Sequence, residues 1–363
     1  MNTIVDPRLP RQITYPQLIR TLVEEKQDLS REQARAVINA ILEQRFNALE
    51  TATTLVALGQ KGETAEEIMG AVEAIRMRHP PISLGELPVL NLGGTGGDRA
   101  GTFNISTTAA FVVAAAGIPV VKHGNKGSTS GSGSSDVMTA LGVDITRSST
   151  AEQIRADLHA CNFAFVATSE YYRFPAGLTN VRRSIGVPTL FNLAGPLVHP
   201  TRAQRQIIGV ARPTQLAPIA EVLCRLGGVD AFVVHGVDGL DEVSCVGETL
   251  ISEVRQGQVR TFSLMPQDFD VQPCHLSELQ GGTPQRNAEI CTHVLRGLPG
   301  PHREATVVTA SVALVLAGRA PSFKEAARIT RHMLDSGQAQ KILKIMKEHH
   351  HENTCEGLWD NQP

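Results

Sequence analysis

Gly93-Gly94-Thr95-Gly96-Gly97-Asp98 follows a short apolar run at residues 87–92 and leads, through Thr102-Phe103-Asn104-Ile105-Ser106-Thr107, into a second apolar run ending near Gly117. Glycine frees the backbone to turn sharply and lets its amides approach a ligand closely. The helix that follows adds unpaired N–H groups and the positive end of its dipole. The stretch therefore reads as a strand, a turn and a helix start able to hold an anion. It is not a dinucleotide fingerprint, because Arg99 stands where the third glycine belongs, and no Gly-Lys-Ser/Thr follows to make a P-loop. Taken alone it is equally an ordinary glycine-rich turn. Asn104, Ser106 and Thr107 either cap the helix they open or face a phosphate and its metal.

A second loop of the same character lies just downstream. Lys122-His123-Gly124-Asn125-Lys126 follows an apolar strand at 119–121 and runs into a Ser/Gly tract at 128–135. Lys122 supplies a point charge for phosphate, and Asn125 both donates and accepts hydrogen bonds. The plainer alternatives are a solvated Lys-His pair and a flexible low-complexity tract. The tract stops abruptly at Asp136, where a compact helix begins, which favours a functional loop. Two such loops close in sequence point to a ligand carrying several phosphates.

Outward from these loops the chain divides. Residues 1–12, with Pro7 and Pro10, read as a loose leader, and residues 13–80 as a small all-helical domain. Ile19, Leu22 and Val23 mark one apolar face, and Ala34, Val37, Ile38, Ile41 and Leu42 another at helical spacing. Ser30 with Gln33, and Thr64 with Glu67, match the capping box. An intervening helix is expected near 52–58, punctuated by Gly59 and Gly62. His79-Pro80-Pro81 ends the unit. Beyond it, residues 87–347 alternate strand-like runs (87–92, 119–121, 163–167, 206–210, 231–234) with helical stretches, closing on a helical pair over 305–347. Such alternation predicts a large α/β domain with a mostly parallel central sheet. Residues 254–263, with Gly257 in the middle, read as a local antiparallel hairpin. The tail, 348–363, is polar; its His349-His350-His351 run reads as a frayed helix end rather than a metal site.

Composition bounds the function. At 363 residues, 42% hydrophobic and 19% charged, the chain supports a sizeable core. A formal net charge of -2 gives no electrostatic case for nucleic acid, and 4% aromatic residues give no base-stacking platform. No apolar run approaches the ~20 residues of a membrane span, and the opening residues lack a signal-peptide core. The six cysteines, at 161, 224, 245, 274, 291 and 355, are scattered without zinc spacing and are expected as small core or surface residues of a reducing cytosol. A cytoplasmic enzyme is expected.

Two further features carry chemistry. The strand at 231–234 ends in His235-Gly236, then Asp238-Gly239-Leu240-Asp241-Glu242. Adjacent carboxylates in a tight turn suit Mg²⁺, which takes a few carboxylates and leaves sites for substrate phosphate; an acidic surface turn is the alternative. Arg182-Arg183 precedes Ile185-Gly186-Val187-Pro188-Thr189-Leu190-Phe191-Asn192. An arginine beside an apolar segment clamps a carboxylate bidentately, though such pairs also form charged helix faces.

Together these motifs, in this order, resemble the anthranilate phosphoribosyltransferase family: Gly94-Thr95-Gly96-Gly97-Asp98, Asn104-x-Ser106-Thr107, Lys122-His123-Gly124-Asn125, Arg182-Arg183-x-x-Gly186, Phe191-Asn192-x-x-Gly195-Pro196-Leu197 and Asp241-Glu242. The resemblance runs from Ile13 to about Met346. It implies the nucleoside phosphorylase/phosphoribosyltransferase type of fold, with a segment near 170–200 joining the helical domain, and a homodimer formed through that domain. It also implies transfer of the phosphoribosyl group from phosphoribosyl pyrophosphate to anthranilate in tryptophan biosynthesis, with Mg²⁺. Donor binding is then expected from Gly94, Thr95, Gly97, Asp98, Thr102, Asn104, Ser106, Thr107, Lys122, His123, Gly124, Asn125, Lys126, Ser130 and Ser134. Gly94, Asn125 and Arg182 are expected beside the acceptor, and Ser106, Asp241 and Glu242 on the metal. No residue is implied as a general acid or base.

The sequence departs from the family in three places. Lys126 replaces an arginine, losing its planar fork. Gly131 stands where a lysine is frequent. The segment before Arg182 lacks the family's His-Pro and reads Thr168-Ser169-Glu170-Tyr171-Tyr172-Arg173-Phe174-Pro175, with Tyr171 or Tyr172 near the histidine's place. That segment lines the acceptor's path, so a paralogue using another aromatic or heterocyclic acceptor is the second reading. A non-catalytic nucleic-acid-binding relative is the third, opposed by the intact phosphate loops, the Asp241-Glu242 pair and the slight negative charge.

Overall fold

The computed structural model describes residues 14–127, 131–146 and 149–356. The expected leader at 1–12 lies outside them.

The helical unit comprises Tyr15–Ile19 running into a short π-helix at Arg20–Glu24, then Arg31–Leu42, Ala48–Lys61 and Ala65–Arg76. Both expected capping boxes are present, at Ser30 with Gln33 and at Thr64 with Glu67. The intervening helix is twice the expected length. Gly59 lies inside it, and Gly62, at φ 93°, alone ends it. Glu67 is fully buried, yet it is paired with Lys61 at 3.0 Å and accepts the Leu29 N–H at 2.9 Å, which is what a buried carboxylate requires. The core of this unit (Leu18, Ile38, Leu55, Ile68) is continuous with Tyr172, Leu178, Leu190, Phe191 and Leu197, on and around helices Ala176–Ile185 and Leu190–Leu197.

Seven strands form one sheet: β1 Leu90–Gly94, β2 Val120–Gly124, β3 Phe163–Ala167, β4 Arg205–Gly209, β5 Asp230–Gly236, β6 Thr249–Arg255 and β7 Gln258–Leu264, in the order β3-β2-β1-β4-β5-β6-β7. The first five are parallel, and β6 and β7 add antiparallel. Gly94 of β1 pairs with Gly209 of β4, and Gly209 with Val234 of β5, so three carboxyl ends lie side by side. The first strand begins later than expected and runs on into Gly93 and Gly94, because those residues pair with β4. The hairpin turns at Gln256 and Gly257, both at positive φ, as a two-residue loop matching strand twist requires.

Helix Ile105–Ala115 is buried all round, between the sheet and the C-terminal helices. These are three, Pro301–Leu316, Phe323–Asp335 and Gln338–Glu356, where a pair was expected. The last continues through His349 and His350 into the expected tail, because His350 is buried and His349 and His350 both bond to the carboxylate of Asp157, at 2.8 and 3.2 Å. Tertiary contacts thus extend a helix whose sequence there is merely polar.

Candidate active site

The glycine loop leaves β1 along the carboxyl end of the sheet. Gly96 and Gly97 have φ of 66° and 89°, and a Cβ on Gly97 would strike the Pro188 ring. Both positions therefore need glycine. The Asn104 side chain does not cap the following helix; its Oδ1 accepts from Asn287 Nδ2 at 2.8 Å. Of the first amides of helix Ile105–Ala115, the Ile105 N–H donates to the Phe103 carbonyl at 2.8 Å and the Ser106 N–H to Glu242 Oε1 at 3.1 Å.

Lys122 is buried, and its Nζ donates to the Leu92 carbonyl at 2.6 Å and to Ser106 Oγ at 3.2 Å. Burial lowers its ammonium to about 8 despite the nearby Glu242 and Asp241 charges. It is no solvated lysine, and one of its three N–H groups is left for a ligand. His123 faces the cleft edge-on to His199, with ring centroids 4.9 Å apart; burial, and then the Lys122 charge, keep it neutral, near 4. Two described residues at the Ser/Gly tract share one partner: the Asp136 carboxylate accepts the N–H groups of Gly127 and Gly133 at 2.8 and 2.9 Å. Ser130 lies outside the described residues.

Asp241 and Glu242 arrive from the turn after β5. Gly96 N–H donates to Asp241 Oδ2 at 2.6 Å. The absent side chain of Gly209 makes this approach possible, since a Cβ there would overlap the Asp241 carbonyl. Burial pushes the Asp241 carboxyl well above its usual range, with Asp98 and Glu242 adding like charge. Burial likewise raises Glu242 to about 7 against the opposing pull of Lys122. Two half-buried, hard oxygen donors beside the Ser106 hydroxyl fit a cation that completes its shell with water and substrate oxygens. Among the described residues no three His, Cys, Asp or Glu side chains form a closed metal cage. Asp241 and Glu242 are half-buried and line the cleft, where a plain acidic surface turn would leave them exposed.

The opposite wall comes from the segment at 168–198. Arg182 Nη2 donates to Asn192 Oδ1 at 3.1 Å, its Cζ lies 5.4 Å over the Phe191 ring, and its Nε is buried without a partner. Asn192 Nδ2 in turn donates to the Thr95 carbonyl at 3.2 Å, tying this wall to the glycine loop. Arg183 points to solvent. Tyr172 rather than Tyr171 takes the inward place, stacked on Phe174 with centroids 5.7 Å apart and planes at 9°. The Tyr171 hydroxyl turns away to the Pro80 carbonyl at 2.6 Å.

The result is one cleft of about 300 Å³. Gly94, Thr95, Gly97, Asp98, Thr102, Asn104, Ser106, Thr107, Lys122, His123, Gly124, Asn125, Lys126, Ser134, Arg182, Asp241 and Glu242 all line it. Residues not singled out for the site, among them Ile75, Arg99, Phe174 and Asn192, line it too. The Phe191-Asn192 motif was the available signal for Asn192; Ile75 comes from the helical unit and had none.

Residues 87–340 match the glycosyl transferase family a/b domain, and residues 16–78 its helical bundle domain. The anthranilate phosphoribosyltransferase of Symbiobacterium thermophilum is 40% identical over 334 residues, 92% of this chain and 97% of that protein. The chain belongs to the anthranilate phosphoribosyltransferase family. The enzyme of that family from Pelotomaculum thermopropionicum is 41% identical, covering 89% of this chain and 93% of its own. Among solved structures, the Thermus thermophilus family member has a TM-score of 0.82 at 34% identity, covering 92% of this chain and 99% of that one. The Saccharomyces cerevisiae member, in complex with phosphoribosyl pyrophosphate and Mg, has a TM-score of 0.84 at 26% identity, covering 93% and 98%. Another structure of the same yeast protein holds 4-fluoroanthranilate, with a TM-score of 0.82 at 25% identity.

Proposed function

We infer that this protein transfers the phosphoribosyl group of phosphoribosyl pyrophosphate to the amine of anthranilate, giving N-(5-phosphoribosyl)anthranilate and pyrophosphate. The observation that carries the reading is the opposition of two walls in one cleft. One wall has amides, a buried lysine and half-buried carboxylates suited to a polyphosphate and its cation; the other has a half-paired arginine framed by aromatic rings.

Each group has a physical role. The glycine-loop amides, Thr107, Lys122 and the loop to Ser134 hold the donor's phosphates and ribose. Arg182 takes the acceptor's carboxylate, while Phe191, Phe174 and Tyr172 cover its ring and exclude water. Ser106, Asp241 and Glu242 would hold Mg²⁺, which supplies charge neutralisation for the departing pyrophosphate. An aromatic amine is already a free nucleophile, so positioning and electrostatics suffice without a general base. Attack opposite the leaving group inverts the anomeric carbon from α to β.

We further propose residues 13–80 as the helical domain, joined by 170–200, and 87–347 as the α/β domain. Continuity of the helical core with Leu178, Phe191 and Leu197 supports the division. The exposed apolar residues Val23, Leu49 and Val56 support a homodimer through that domain. We propose a cytoplasmic place in tryptophan biosynthesis, which follows from the proposed reaction.

The second reading, a paralogue with another aromatic acceptor, rests on Tyr172 and Phe174 occupying the acceptor side of the cleft. Following the loss of anthranilate fluorescence with phosphoribosyl pyrophosphate and Mg²⁺ decides between them. Turnover supports the first reading. Donor binding by calorimetry without anthranilate consumption supports the second and overturns the first. No donor binding at all overturns both.

A further inference from the structure

Cys245 and Cys274 stand 29 positions apart, and their sulfurs are 3.2 Å from each other. The Cys274 N–H also donates to the Cys245 carbonyl at 3.1 Å. That is the backbone proximity a disulfide needs, with Cα atoms usually roughly 4.4–6.8 Å apart, and the sulfurs have about 1 Å still to travel. Cys161 and Cys224 instead direct their thiols at backbone carbonyls.

Each cysteine belongs to a different wall of the cleft's foundation. Cys245 lies in the loop that carries Asp241 and Glu242. Ser244 Oγ donates to Asp238 at 2.6 Å and Ser244 N–H to Thr249 at 2.9 Å, so that loop is internally tied. Cys274 leads into the turn Leu276–Leu279, whose last carbonyl accepts the Phe103 N–H at 3.0 Å; Gln280 then pairs with Thr102. A covalent link between the two would tie the carboxylate loop to the backing of the phosphate loop.

We propose that Cys245 and Cys274 form a reversible disulfide site through which thiol oxidation displaces the Asp241 and Glu242 carboxylates. Cys274 is half-buried and Cys245 fully buried, so a small oxidant meets Cys274 first. With a low-molecular-weight disulfide as oxidant, the Cys274 sulfur, losing its proton to solvent, attacks one sulfur of that disulfide and expels the other as thiol. Cys245 then attacks the mixed disulfide at Cys274 and expels the second thiol. Two protein thiols are oxidised and one external disulfide is reduced, with the electron pair passing to the oxidant. Burial raises both thiols, which lowers their thiolate fraction at neutral pH and slows the exchange.

The test treats the full chain with glutathione disulfide and maps peptides by mass spectrometry, a readout that needs no turnover. The linkage to catalysis rests on the proposed function and is read separately, as phosphoribosyl transfer. The expected results are a peptide pair joining Cys245 to Cys274, loss of the two thiols, and a fall in kcat of about tenfold to a hundredfold restored by dithiothreitol, since a 1 Å misplacement costs that much. Cys274→Ser keeps its reduced activity and loses oxidant sensitivity, whereas Cys224→Ser retains it. Absence of the joined peptides, or inactivation that persists in Cys274→Ser, overturns the site. A disulfide that forms with kcat and Mg²⁺ dependence unchanged overturns the coupling while leaving the proposed function intact.

Discussion

The Asp241 carboxylate accepts the Gly96 N–H at 2.6 Å, closing a contact between residues 145 positions apart in the chain. It fixes the acidic turn after β5 against the glycine loop after β1, and it depends on β4 between them having no side chain at its last residue.

Gly209→Ala therefore tests the geometry without touching a residue that lines the cleft. The added methyl meets the Asp241 carbonyl, so the turn must shift. Overpacking of this kind costs about 1–3 kcal/mol of stability. The expected outcome is a folded protein whose KM for Mg²⁺ rises and whose kcat falls by on the order of 10²-fold. Wild-type kinetics in this variant would refute the role given to the contact.

Arg182→Ala removes the proposed partner of the acceptor's carboxylate. Hydrogen bonds to charged groups contribute about 1.5–3 kcal/mol, so KM for anthranilate should rise about 10- to 100-fold. Donor affinity, measured by calorimetry, should stay within about twofold. An equal loss for donor and acceptor would contradict the assignment.

Asn192→Ala disconnects Arg182 from the Thr95 carbonyl. Because Asn192 positions Arg182 rather than meeting the acceptor's carboxylate, its removal should raise the acceptor KM by less than Arg182→Ala does. The double variant should be no worse than Arg182→Ala alone, as coupled residues are not additive. Independent, summed effects in the double-mutant cycle would refute the link.

Glu242 is raised to about 7 by burial, so its sign differs from that of a paired surface carboxylate. The folded chain holds this proton more tightly than the unfolded chain does. Metal-free protein should lose stability as pH rises from about 4.5 to about 7, by on the order of 3 kcal/mol. Mg²⁺ should restore it above that range and bind progressively more weakly below it. Thermal melts in chelator against pH check this, with Glu242→Gln expected to flatten the profile. An unchanged profile in that variant would sink it.

His350 has Nδ1 at 2.8 Å from the Asp144 carbonyl and Nε2 at 3.2 Å from Asp157, two acceptors that call for a proton on both nitrogens. Burial lowers its pKa, but its pairing with Asp157 and its bond to the Asp144 carbonyl outweigh that cost and raise it. This stabilisation is fully present below pH 6.5 and is lost as pH rises through the elevated value. Hydrogen exchange in helix Gln338–Glu356 should accelerate over that interval. In Asp157→Asn the interval should move to lower pH, while Mg²⁺ should leave it unmoved.

The sequence by itself determined what local chemistry can specify. Glycines at 96 and 97 freed the backbone to turn sharply, capping boxes at Ser30 and Thr64 started helices, and β-branched runs alternating with helices argued for a mostly parallel sheet. The order of the phosphate, lysine, arginine and acidic motifs also placed the chain in its family. Only the tertiary structure decided which of two neighbouring side chains faces the cleft. Tyr172 turns inward and Tyr171 outward, Arg182 is half-buried and Arg183 solvated, because their positions on a short segment packed against the helical unit orient them oppositely. Only the fold could let Gly209 admit Asp241, bring Cys245 to Cys274, or carry the last helix past His349 to meet Asp157. Each of these is a contact between residues far apart in the chain, and such contacts leave no local pattern: their energy comes from packing and desolvation that exist only once the sheet has assembled.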